Sequence, residues 1–299
     1  MFLKNEMTKR EIWAWMWILP VVIVLFIFYI GPIINVALYS LTNASFFGDK
    51  MHFTLRSYKF LFSSHSFWMM LRTTGIFVAV SVIFQILLGF LIALAVVDGE
   101  NRGVRGSILV RTAVLSAWVI PGVVIGIVWK LLLNEASFGI LNYYIKVLIG
   151  KKILFLSSPN WALVSVIIAN IWRGTAFSMI ILYGGLKQVP PELYEAAQID
   201  GASAWKRLLY VTIPQLKQVI FINLALITIY TFNTFDMIMS LTGGGPGRAT
   251  EVLSIYTYNS VFNRWALAKG ADSAMVLLLI NLIIVIFYYK AMKVDERYA

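Results

Sequence analysis

From Thr73 to Val97 the chain carries no aspartate, glutamate, lysine or arginine, and five further stretches come close to that pattern. A hydrocarbon core of about 30 Å is crossed by about 20 apolar residues in helical form. Six segments reach that length: Ile12–Leu41, Phe67–Val97, Gly106–Leu133, Trp161–Leu186, Leu216–Ser240 and Ser273–Met292. Their apolar residues run continuously instead of alternating, and lipid-exposed backbone must satisfy its own hydrogen bonds, so each reads as helix and not as barrel strand. The expected fold class is all-α: a polytopic membrane protein with six transmembrane helices over residues 12–292, between short tails at 1–11 and 293–299.

Composition agrees, with 60% apolar and 13% charged residues and a mean hydropathy of +0.80, a balance that only a bilayer solvates. The first run is too long for a secretory h-region and has no convincing small-residue cleavage site after it, so it reads as a retained anchor. Six crossings put both termini on one side. Lys4, Lys9 and Arg10 precede the first run and only Lys50 follows it closely, which favours cytoplasmic termini, although the remaining loops share basic residues almost evenly. The net charge of +11 then reads as headgroup contact and topology signal, not as a nucleic-acid patch. Without cysteine there is no disulfide, thiolate metal site or cysteine nucleophile, and His52 and His65 stand at no ligand spacing.

Among the loops, residues 42–66 are polar and aromatic without a domain-sized insertion, and "DGENRGVR" (98–105) is a short surface connection. "FGILNYYIKVLIG" places leucine, isoleucine and tyrosine at helical spacing, as in a helix lying on a membrane surface. "LTGGGPGRAT" (241–250) invites comparison with a phosphate loop, but counting from Gly243 lands on Arg248 and no lysine follows in place. Its glycines and Pro246 read instead as a helix stop and a tight turn. Gly122 and Gly126 form a G-x-x-x-G suited to close helix packing, beside a Pro121 expected to kink the third span. Trp13, Trp15, Trp17 and Trp161 read as interfacial anchors.

The inner segment 187–215 is not a floppy linker. Pro190 and Pro191 stop the fourth span, and Pro191 suits the first position of a new helix with Glu192 at its positive end. That helix runs through "ELYEAAQID". Gly201 then supplies a turn, Ser203 an N-cap for a second helix, and Pro214 restarts the chain into the fifth span. The small Ala196, Ala197 and Ala202 would let a partner's backbone approach, with Leu193 and Ile199 as apolar anchors and Glu195 as a charge. The residues themselves fit equally a connector packed on its own helices.

The spacing Glu195-Ala196-Ala197, three residues, Gly201, nine residues, Val211, one residue, Ile213-Pro214 resembles the EAA loop of ATP-binding-cassette importer permeases, with Val and Ile where the family usually has Ile and Leu. "FGILN", "IWRGTAF", "VPPELYEAAQIDGASAW" and "LTGGGP" are similar to the carbohydrate branch, the type of the maltose importer's larger membrane subunit, over residues 55–292. Two extra N-terminal helices and a large outer domain of that subunit have no counterpart here. The resemblance implies that the hairpin fits a cleft on a separate ATPase chain and transmits its closure through Glu195, Ala196, Ala197, Asp200 and Gly201. It further implies a second permease in a heterodimer, two ATPase subunits, an extracytoplasmic solute-binding protein and a saccharide substrate, in a bacterial or archaeal cytoplasmic membrane. ATP and Mg would be used by the ATPase chains, with no cofactor on this one and no nucleic acid.

An ionisable residue inside a span is a functional candidate. Arg173 lies about twelve residues into the fourth span, about 18 Å deep at about 1.5 Å per residue. Asp236 lies near the outer end of the fifth, within reach of Arg173; the two could form a structural ion pair or line a polar cavity. Saccharides bind through hydroxyl hydrogen bonds and by stacking C–H faces on rings, and "WRGTAF" (172–177) and "YTFNTFD" (230–236), Asn233 and Asp236 included, hold that mixture. The resemblance brings Arg173, Gly174, Phe177, Tyr230, Thr231 and Thr234 onto pocket positions. Arg173 replaces an apolar residue there, which leans toward acidic or phosphorylated substrates. A secondary transporter would need a carboxylate or histidine relay and an internal repeat; only Asp236 qualifies. A non-transport scaffold would leave the hairpin spacing unexplained.

Overall fold

The computed structural model describes residues 2–47, 50–136 and 139–296. The side chains of Lys4, Lys9 and Arg10, Phe138 of "FGILN" and the tail residues 297–299 lie outside the described residues. The regular elements among the described residues are helices, with an isolated bridge between Thr42 and Phe53. The chain divides into two compact units, Met1–Ser64 with Thr257–Val276, and His65–Tyr256 with Leu277–Ala299.

In the first unit, α1 (Phe2–Leu25), a π-helical turn (Phe26–Ile30) and α2 (Gly31–Ser40) form one apolar span, Trp13–Ser40, none of whose most hydrophobic window is buried within the chain. The wider π turn sits directly before Pro32, whose missing N–H and ring would otherwise disrupt the preceding turn. Trp13, Trp15 and Trp17 stand exposed near its start. A short α3 (Arg56–Ser63) follows, with the Lys269 ammonium 4.0 Å from the centre of the Phe60 ring.

The second unit contains α4 (His65–Asn101), α5 (Ser107–Val119), α6 (Gly122–Leu132), α7 (Ile140–Ile149), α8 (Pro159–Leu186), α9 (Pro191–Ile199), α10 (Ala204–Arg207), α11 (Ile213–Phe232) and α12 (Asp236–Leu241). Two further helices, α13 (Leu253–Tyr258) and α14 (Leu267–Glu296), straddle the division between units. Its centre is the pairing of α4 with α8. A Cβ on Gly89 would lie 2.7 Å from Ser178 Cβ and 2.8 Å from the Met179 amide nitrogen, so the two helices touch backbone to backbone there. Ala93, Met179, Leu182, Leu186, Val189 and Leu216 close into a buried core on the same side.

The sequence expectations need three corrections. The third span does not cross as a kinked helix: α5 and α6 meet at 103°, as a broken span or re-entrant loop. Ile120 (φ −66°, ψ 129°) and Pro121 (φ −56°, ψ 138°) are both extended, because proline excludes its predecessor from the helical region and itself offers no amide. The fifth helix does not begin at Leu216 and run to Ser240; it extends from Ala204 to Phe232, and α12 is a separate element. Pro214 therefore does not restart the chain but lies inside a continuous helix, again directly behind a π turn, Leu208–Thr212. The sixth begins at Leu267 instead of Ser273, which takes Asp272 into it, fully buried and with neither carboxylate oxygen hydrogen-bonded among the described residues.

Candidate functional site

Where α11 ends, Asn233, Thr234 and Phe235 turn the chain out of helix and restart it at Asp236. That break faces the other one. A Cβ on Gly122, the first residue of α6, would lie 1.9 Å from Asp236 Oδ2, and one on Gly126 would lie 1.9 Å from Ser240 Oγ. The G-x-x-x-G is thus a groove within the chain that receives α12. Asp236 is placed against the start of α6, where amides not used by the helix favour an anion, and it accepts from the Met237 amide at 2.9 Å.

Arg173 reaches the same carboxylate from α8, Nη1 to Oδ1 3.4 Å, with its guanidinium 5.5 Å from the centre of the Trp118 ring. Trp118, Phe177 and Tyr230 form a ring triangle with centroids 4.6, 5.4 and 5.2 Å apart. Gln85 of α4 completes the floor. Its amide donates to the Asn170 carbonyl at 2.8 Å and accepts from the Thr231 hydroxyl at 3.2 Å. Gly174 makes the room, since a Cβ there would fall 2.3 Å from Gln85 Cδ.

These residues enclose a cavity of about 220 Å³. Arg173, Gly174, Tyr230, Thr231, Asn233, Thr234 and Asp236 all line it, while Phe177 supports its rings. The Thr234 hydroxyl is already spent on the Tyr230 carbonyl at 3.1 Å, and the Asn233 amide pairs with Asn281 at 3.2 Å. Sequence reasoning missed Gln85, Trp118 and Asn170; the signal for Asn170 was its place one helical turn before Arg173 and Gly174. Two buried donors, Asn170 Nδ2 and Arg173 Nε, have no hydrogen-bond partner among the described residues.

At the other candidate site, Pro190 and Pro191 open α9 with Glu192 in its first turn, Gly201 turns the chain at φ +75°, and the Ser203 hydroxyl accepts from the Lys206 amide at 3.4 Å. The hairpin has two faces. Tyr194 points inward, its hydroxyl 3.1 Å from that of Thr212, and Arg207 donates to Gln198 at 3.2 Å. Outward lie Glu195, Ala196, Asp200 and Gly201, with Ile199 87% and Trp205 67% exposed, and Ala197 half-buried. Beside the hairpin, Glu100 ties three spans together: the Tyr183 hydroxyl donates to it at 2.9 Å, and Lys187 and Arg111 approach at 3.3 and 3.4 Å.

In the loop after α6, Glu135 accepts from the amides of Leu156 and Ser157 at 2.7 and 2.8 Å and from the Ser157 hydroxyl at 2.6 Å. Burial pushes its carboxyl up, but those three donors together hold it below the ordinary 4.5. A depressed folded value means that the loop's extra stability is present above 4.5 and is lost as pH falls through the folded value. The protection factors of the Leu156 and Ser157 amides, taken relative to the intrinsic exchange rate at each pH, are expected to fall in that acid range, and Glu135→Gln to remove the dependence; unchanged protection in acid would count against the assignment. Further along, the stretch from Ile140 to Ile149 is helical as α7, with Tyr143, Val147 and Leu148 exposed. The glycine run after α12 is a turn, with Gly243 at φ +61° and Gly244 at φ +91° and an ion pair between Arg248 and Glu251.

The family of binding-protein-dependent transport system inner membrane components matches residues 85–292. A trehalose/maltose transport system permease protein of Thermococcus litoralis is 33% identical over 93% of this chain and 92% of its own length. An sn-glycerol-3-phosphate transport system permease protein of Agrobacterium fabrum is 28% identical over 99% of this chain and 100% of its own. A solved bacterial ABC transporter involved in import of the acidic polysaccharide alginate has the same fold, with a TM-score of 0.84 at 22% identity over 98% of this chain and 99% of that one. The chain accordingly belongs to the binding-protein-dependent transport system inner membrane component family, as a multi-pass permease subunit of an ABC importer and not as an enzyme.

Proposed function

We propose that this permease passes a saccharide through the cavity at Arg173 and Asp236, and that ATPase chains drive it through the hairpin 187–215. The observation that carries the reading is the pair of buried, unpartnered donors, Asn170 Nδ2 and Arg173 Nε, beside the Trp118–Phe177–Tyr230 rings. A buried donor left unpaired costs about 1–3 kcal/mol, which a hydroxyl-bearing guest recovers when the side chains shielding that donor move aside. Rings offer its C–H face a surface. Relatives named for trehalose/maltose and lactose transport support the substrate class.

In this reading the outward face of the hairpin, with Glu195, Ala196, Ala197, Asp200 and Gly201, meets the ATPase, so both termini are cytoplasmic. A second permease in a heterodimer completes the path, two ATPase subunits use ATP and Mg, and a solute-binding protein delivers from outside. Asp236 is paired with Arg173 at 3.4 Å. The assembled transporter, reconstituted with its binding protein, is expected to take up maltotriose until vanadate blocks the ATPase, and Arg173→Ala to lose about tenfold or more of that uptake, as for loss of a charged hydrogen bond. Uptake that ignores vanadate and stops with an ionophore would overturn the proposal in favour of an ion-driven transporter.

A further inference from the structure

Resting on the saccharide path just proposed, we infer that Asp236 is a specificity determinant that keeps the path for uncharged saccharides and rejects uronates and sugar phosphates. Arginine alone in a cavity is an anion site, because its planar fork matches a carboxylate or phosphate. Here one arm of that fork, Nη1, already faces the Asp236 carboxylate. Arg173 and Asp236 are the one cation and the one carboxylate among the residues lining the cavity, and they stand 3.4 Å apart. Together they make the lining formally neutral.

The pairing is built, not incidental. Asp236 is fixed on three sides: by its own helix through the Met237 amide, by the start of α6 through the space that Gly122 leaves, and by Arg173. Trp118 holds the guanidinium from a fourth direction. An uncharged sugar hydroxyl can donate to the Asp236 carboxylate and, where it displaces the side chains that shield them, accept from Asn170 Nδ2 or Arg173 Nε, so it meets complementary groups. An anionic sugar finds the same donors, but it places a second negative charge beside Asp236 with a single guanidinium to serve both. Like charges at contact in a partly desolvated site repel, and discrimination by such repulsion is as effective as discrimination by attraction.

The test uses the complete transporter in detergent and equilibrium dialysis of two labelled probes, maltotriose and the same trisaccharide oxidised to a carboxylate at a terminal C6. The wild type is expected to prefer maltotriose by about tenfold, and Asp236→Asn to shift the ratio by about tenfold toward the acidic probe, as a freed Arg173 becomes an anion site. Asp236→Ser should shift it the same way, and if neither variant assembles, the wild-type ratio decides. Equal binding of both probes by the wild type, a preference for the acidic one, or a ratio unmoved by either variant would overturn the inference and leave the saccharide path standing. If neither probe binds, the path itself falls, and the inference with it.

Discussion

Gly201→Asp is expected to leave the protein folded and inserted while uptake falls about a hundredfold, the scale at which a central contact is lost from an interface. The glycine holds φ +75°, the left-handed region, where any other residue costs about 1 kcal/mol and aspartate is among the better tolerated. A Cβ there meets nothing within 4 Å inside the chain. The added Cβ therefore has nothing of its own protein to disturb, and the carboxylate projects beside Asp200 and Ile199 on the outward face of the hairpin. Loss of function without loss of fold must then come from a partner. Gly201→Ala carries the backbone cost without the charge and should retain most uptake. The readouts are membrane yield, ATPase retained on an affinity column and vesicle uptake. Full transport by the aspartate variant would sink the assignment of this face to the ATPase.

Most spans were legible because a long uncharged run in lipid has one backbone solution, and the hairpin was legible because Pro191, Gly201 and Ser203 each impose a local geometry. What failed were features set by distant residues. Pro121 within an apolar run is compatible with a kink or a break, and nothing near it in sequence shows that Asp236 and Ser240, more than a hundred positions later, pack into the groove at Gly122 and Gly126. The end of the fifth span was misplaced for the same reason, since Asn233 and Thr234 interrupt a helix whose continuation, α12, is held by α6. Gln85 was invisible as a lone polar residue in an apolar run; its role depends on the missing side chain of Gly174, on another helix. Arg173 was found as a charge out of place, but its partner fixes its meaning: alone it suggested an acidic substrate, and beside Asp236 it argues the reverse.

Gly89→Leu is expected to be the most damaging single change, because it strikes the contact on which the cavity is built. Gln85, Gly89 and Ala93 recur every four residues along α4, and Asn170, Gly174, Ser178 and Leu182 do the same along α8, so one stripe of each helix meets the other. At Gly89 even a methyl would fall 2.8 Å from the Met179 backbone nitrogen, which cannot swing aside as a side chain does. Ser178 and Met179 are themselves fully buried, so relief requires separating the helices. One turn away, the Gln85 amide would lose its reach to Asn170 and Thr231, and the floor of the cavity would open. Overpacking costs about 1–3 kcal/mol where a core can adjust and more where backbone blocks it, so Gly89→Ala should lower Tm by several degrees, an estimate on the usual conversion of about 2–4 °C per kcal/mol, and Gly89→Leu should abolish recovery of folded protein. Gly75 lies on the same helix with nothing within 4 Å of its Cβ position, and Gly75→Leu should be recovered normally. Size-exclusion profiles and melting curves in detergent separate the cases, and a Gly89→Leu protein that elutes and melts like the wild type would show that α4 and α8 do not meet there.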